Sequence, residues 1–229
     1  MGNCLVTKLK ENVNNDNLKK LGILTIDVLP RTEFHNYDSI FVVMSENSSA
    51  YIDGGFYYSN GTPDERNPLP ITANMDRYLL PTIAGGKMDI YNKYAITTIS
   101  LSQIMGIVEL KDLEYCTGMT KIDGNFIGSL SYIEKMPSLI YFRCTIRNNI
   151  TGNISDFVNA HDIETIVLIN QSGVVGELTE LATSLAPYRT NGSTLTITSG
   201  GSLKNSGVTI ENGVSKTITF DGQGGYTIA

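Results

Sequence analysis

Between residues 21 and 59 short apolar-rich segments are set off by polar ones. LGILTIDV (21–28), SIFVVMS (39–45) and AYIDGGFYYS (50–59) are rich in β-branched and aromatic residues. Asn, Asp and Gly bound each of them, which predicts strands. NGTPDERNPLP (60–70) holds three prolines and a charge cluster. Proline fixes φ and removes a ladder donor, so this stretch predicts a connection and not a central strand. GGKMDIYNKY (85–94) reads as a second turn-rich passage. In NVNNDNLKKL (12–21), Asp16 or Asn17 could cap a short helix, although Asn weakens one.

From about residue 100 the rhythm becomes a repeat. The phrase "apolar, any, Gly, any, apolar" recurs as IMGIV (104–108), FIGSL (126–130), ITGNI (150–154) and VVGEL (174–178), at spacings of 22, 24 and 24 residues. The last two copies agree over a longer frame. Leu139, Phe142, Cys144, Ile150, Gly152, Ile154 and Phe157 shift by 24 onto Ile163, Ile166, Leu168, Val174, Gly176, Leu178 and Leu181. Each unit opens with L-x-x-F-x-C or I-x-x-I-x-L, passes a polar turn and the Gly phrase, then enters a short helical stretch, SDFVNAHD (155–162) or TELATSLA (179–186). One such unit cannot bury its apolar face alone, so copies are expected to stack on a shared core, with Gly at the tight turn.

A strand, a turn and a short helix within 24 residues resemble the leucine-rich repeat family, in the loose form common in gut bacteria and their phages. The resemblance covers about residues 96–190. It departs from the family where an Asn would close the strand, since Arg147 and Gln171 stand there beside Asn148 and Asn170. Beyond it, STLTITSGG (193–201), GVTIENG (207–213) and SKTITFDG (215–222) alternate Thr with apolar residues, with a tight turn at 211–213. The expected fold is mainly β with short helices. An N-terminal β attachment region (1–95) precedes a short leucine-rich-repeat-like solenoid (96–190), and a β C-terminal cap (191–229) covers its end or pairs with another chain.

Composition supports this picture. Of 229 residues, 41% are hydrophobic and 17% charged, so Asn, Ser, Thr and Gly must supply much of the polar surface. A net charge of −6 argues against nucleic acid or an anionic membrane as partner. Cys4, Cys116 and Cys144 form no C-x-x-C pair and read as reduced core fillers. The chain shows no apolar run long enough to span a membrane and no secretion leader, which predicts folding in a cytoplasm. The opening MGNCLVTKLK has Gly2 and Cys4 but Val6 where myristoylation needs Ser or Thr, so it reads as an alternating strand.

No catalytic constellation emerges. His35 and His161 lie far apart, and His161 at the end of a repeat helix reads as a dipole contact. Asp53-Gly54-Gly55 and Asp123-Gly124 read as turns, and Asp64 and Glu65 as a solvated face. GGK (85–87) lacks the remainder of a phosphate loop, and no G-x-S-x-G elbow exists. Six Asn-x-Ser/Thr sequons follow from composition. No cofactor and no metal are expected. What remains is surface: Tyr141, Arg143 and Thr145 in one unit, and Glu164, Thr165 and Val167 in the next, are expected to face outward as a binding strip.

The phrase MGNCLVTKLK…NNDNLKKLGILTIDV is similar to the N-termini of virion and hypothetical proteins from Bacteroides and their crAss-like phages. That resemblance implies a bacteriophage structural protein: a head fibre, capsid decoration or tail-associated subunit. It would be non-enzymatic, assembled into the virion in the host cytoplasm, and attached to other virion proteins by strand donation from its N-terminal region. A homo-oligomer, dimer or trimer, and a host-surface or glycan ligand follow from the same analogy. A bacterial leucine-rich-repeat module binding protein or glycan is the competing class.

Overall fold

A computed structural model describes residues 22–28, 40–45, 49–53, 69–72, 77–79, 86–101, 106–145 and 149–229. The molecule is mainly β with few short helices, and its strands form two mixed sheets. In the nine-stranded sheet, 96–101, 121–124, 141–144, 165–167 and 194–198 follow one another in parallel. In the ten-stranded sheet, 106–109, 126–129, 150–153, 174–177 and 203–205 do the same. The chain therefore visits the two sheets alternately. Antiparallel strands close both runs. Residues 40–44 and 23–28 pair on the N-terminal side, and 215–220 and 208–209 on the C-terminal side. Both sheets cross positions 95/96 and 190/191 without a break, and one apolar cluster extends from Leu24 to Phe220.

The core is built on a spacing of three. Leu110, Leu113, Cys116, Met119 and Ile122 are buried; so are Leu130, Ile133, Met136, Leu139 and Phe142, and again Ile154, Phe157, Ala160, Ile163 and Ile166. Each set starts in a 3-10 helix (110–113, 130–135, 154–157), where three residues make a turn and every third side chain lands on one face. Strand register follows this frame: Ile122 stands opposite Phe142, and Phe142 opposite Ile166. The unit thus advances by 20 residues and then by 24. Phe142 and Phe157 meet edge to face at 5.2 Å between centroids.

Several expectations are met and several are corrected. Strands occupy 23–28, 40–44 and 49–53, and the segment after Glu177 is an α-helix, Leu178–Leu185. GGKMDIYNKY does not turn throughout, because Gly86–Tyr91 is a strand pairing with both 23–28 and 49–53. Its buried Met88 and Ile90 keep step with Ile26 and Leu24 across the ladder. Leu69–Thr72 is also a strand, and it lies at the sheet's edge, where Pro70 costs no ladder bond on its free side. Asp123 and Gly124 likewise close strand 121–124 and do not form a turn. Residues 1–21, with Cys4 and the N-terminal phrase, lie outside the described residues, as do His35, Gly54, Gly55, 60–68, Arg147 and Asn148.

The repeated glycines do not stack on one another. Gly128 stands opposite Ile150, and Gly152 opposite Val174, so each is two residues out of step with the next. Gly128, Gly152 and Gly176 share a positive φ of 103–128° and a place two positions before the following helix. Gly124 is held for another reason. A Cβ there would sit 2.3 Å from the Leu101 carbonyl oxygen, because this corner lets two backbones touch where Cys144 and Leu168 fill the later units. Gly128 has only Leu110 N, at 3.9 Å, in that direction. Gly128→Ala should therefore cost backbone strain alone, about 1–3 kcal/mol. Gly124→Ala should cost clearly more, with the two compared by urea unfolding.

Candidate functional site

Register arranges the outward side chains of the nine-stranded sheet in rows. One row runs Val43, Thr98, Lys121, Tyr141, Thr165, Thr196, Thr217. The next runs Phe41, Ser100, Asp123, Arg143, Val167, Thr198, Ser215. Tyr141 and Arg143 alternate with buried Phe142 and Cys144, and Thr165 and Val167 flank buried Ile166. Successive strand residues point to opposite faces, so all four look outward. Thr145, half-buried, follows the first strand, and Glu164, exposed, precedes the second. Tyr141 and Thr165 are direct cross-strand neighbours, as are Arg143 and Val167. Four of the six expected positions thus form one block, with Thr145 and Glu164 next to it along the chain.

Two residues that the motif alone did not single out complete the block. Lys121 places its ammonium 5.0 Å from the centre of the Tyr141 ring. Asp123 lies 3.9 Å from Arg143 Nε. That separation exceeds a hydrogen bond, so the guanidinium keeps its donors for another carboxylate or carbonyl. Both groups remain partly open to solvent, at 40% for Arg143 and 21% for Asp123. Such a pair contributes about 0–1 kcal/mol to stability and gives way readily to a ligand. An aromatic ring, a cation and a carboxylate on a flat sheet suit non-covalent recognition.

The corners behind this face are wired by buried polar groups. Gln171 is fully buried, and its Oε1 accepts from Ile150 N at 3.0 Å. It thereby ties the corner of one unit to the strand of the preceding one. Asn170, at φ 63°, receives Asn212 Nδ2 on its Oδ1 at 2.8 Å and donates its backbone N–H to Asn212 Oδ1 at 2.8 Å. Asn125 is fully buried, and its side-chain amide has no hydrogen-bond partner among the described residues. Arg189 donates to the Ile163 carbonyl and lies 5.1 Å over the Phe220 ring. Burial pulls its pKa down, and Asp162 and Glu164 act in the opposite sense. His161 stacks on Tyr188 with ring centroids 3.6 Å apart, a ring contact where a dipole contact was expected.

Cys116 and Cys144 are buried free thiols. Desolvation pushes Cys116 up to about 11, and its Sγ donates to the Lys93 carbonyl. Among the described residues no three His, Cys, Asp or Glu side chains gather as a metal site would require. No helix among them is long and apolar enough to cross a membrane. No protein-family model, curated protein or solved structure matches the chain.

Two measurements check this wiring. Gln171→Leu strands the Ile150 N–H in the core and should lower unfolding free energy by about 1–3 kcal/mol. A double-mutant cycle between Lys121→Met and Tyr141→Leu should return a coupling of about 0.5–1 kcal/mol.

Proposed function

We propose that the chain is a non-enzymatic structural and recognition protein, built as a short leucine-rich-repeat-like solenoid that presents the Tyr141–Arg143 face to a partner. The observation that carries this reading is the block of Lys121, Tyr141, Asp123 and Arg143, set side by side by strand register with unspent donors. Parallel pairing of successive units and the period-three core support the solenoid. A face of this kind favours proteins or glycans that offer a carboxylate and a flat surface for the ring. The proposed setting is a phage particle, as a head fibre, capsid decoration or tail-associated subunit joined to other virion proteins. That setting rests on the N-terminal phrase and not on the face.

The two halves of the proposal are tested separately. Quantitative mass spectrometry of purified particles should find the chain at a fixed ratio to the major capsid protein. Its absence there moves the weight to a cellular repeat module using the same face. For the face, Tyr141→Ala with Arg143→Ala should weaken partner capture by roughly tenfold or more, because ring and guanidinium anchors dominate such contacts. Unchanged capture by a folded double variant would remove the face from the reading.

A further inference from the structure

At the C-terminal end of the nine-stranded sheet no further strand follows among the described residues. Its last strand is Tyr226–Ile228, paired antiparallel to 215–220. Thr217 and Ala229 exchange both backbone hydrogen bonds at 3.0 Å. In an antiparallel ladder such pairs recur every second residue, so Thr227 also turns its backbone groups inward, to Thr219. Tyr226 and Ile228 must then turn their N–H and C=O groups away, and no strand meets them there among the described residues. Two donors and two acceptors stand in a row.

Natural sheets guard such an edge with proline, lysine, a bulge or a very short strand. Here the strand is short, three residues reading Tyr-Thr-Ile, but it carries no proline, lysine or bulge and its register is regular. The edge is also held in place. The Tyr226 hydroxyl donates to the Thr179 carbonyl at 3.1 Å, which fixes the strand over helix 178–185, and Tyr226 and Ile228 pack against the core.

We infer that this edge pairs with the same edge of a second copy of the chain, joining two nine-stranded sheets across a two-fold axis at Thr227. The register is self-complementary. A two-fold through Thr227 sets Tyr226 opposite the second copy's Ile228 and closes four backbone hydrogen bonds, two from each chain. On the inner face it brings an aromatic ring against a branched aliphatic group, a favourable cross-strand pair. On the outer face Thr227 meets its own copy, and the row Thr194, Thr219, Thr227 continues into the mirror-ordered row beyond. No charge lies in that row to oppose itself. An isologous contact of this kind closes on itself and yields a dimer rather than a fibre. The inference does not depend on the Tyr141–Arg143 face or on the phage setting.

The test is charge exchange at the axis. Sedimentation equilibrium of the full chain should give twice the 25.0 kDa chain mass, with reversible dissociation on dilution. Thr227→Lys and Thr227→Glu each place like charges directly opposite one another, so each alone should associate at least about tenfold more weakly. Mixed in equal amounts, the two should recover the dimer as a Lys–Glu pair. Thr227 is solvent-exposed, so urea midpoints matching the native chain confirm that both variants fold. A monomer at every concentration, a larger oligomer, or a dimer indifferent to both substitutions overturns the inference.

Discussion

Everything in this fold follows from the need of each strand to find partners for its backbone on both sides. A unit of strand, corner, strand and 3-10 turn buries one apolar row but leaves the N–H and C=O groups of both its strands pointing up and down the stack. The next unit supplies those partners in parallel, as at Phe142 opposite Ile166, and inherits the same deficit. Such growth has no natural end. The chain stops it by reversing strand direction: 40–44 and 23–28 close one side, 215–220 and 208–209 the other. Reversal moves the problem to the outermost strand without removing it, and Tyr226–Ile228 inherits what remains.

The same accounting explains the polar corners. Where the chain leaves one sheet for the other, its backbone departs from the ladder and must be satisfied by something else. Gln171 does this with its side chain, and Asn170 with Asn212 does it through a reciprocal pair. At the Gly124 corner the solution is close approach, since removing the Cβ lets the neighbouring backbone at Leu101 fill the space. These corners use different residues because each must fit a connection of a different length. A single residue type at one repeated position could not serve all of them.

That variation also decides what could be read from the sequence. The mainly β character and the strands at 23–28 and 40–44 were legible because β-branched and aromatic runs bounded by turn residues are a local signal. The pair of units from 139 to 181 was legible because their offset is constant at 24 and every matched position is apolar or Gly. The unit at 110–124 was marked only by its flanking Gly phrases, and its core frame escaped for two physical reasons. Its connection is shorter, so the offset falls to 20, and Gly124 replaces a side chain that the later units bury. Strand 86–91 was hidden because Lys87, Asp89 and Asn92 look like turn chemistry until pairing shows that Met88 and Ile90 alone face inward. Strand 69–72 was hidden by a proline that only an edge would accept.

The candidate face was legible in part, and the missing part sharpens its meaning. Tyr141, Arg143, Thr165 and Val167 follow from alternation within their own strands. Lys121 and Asp123 do not, since their place beside Tyr141 and Arg143 is a property of register across 20 residues. Register also separates the face into two kinds of surface. Its middle carries ring, cation and carboxylate, and its C-terminal third carries Thr194, Thr196, Thr217, Thr219 and Thr227 with no charge among them. Charge in the middle favours a chosen partner, because a wrong one would bury an unpaired ion. A neutral, regular hydroxyl field at the end imposes no such selection and tolerates its own image. If both proposals hold, one sheet divides its labour by position, with discrimination placed where the ladder is continuous and self-contact where it stops.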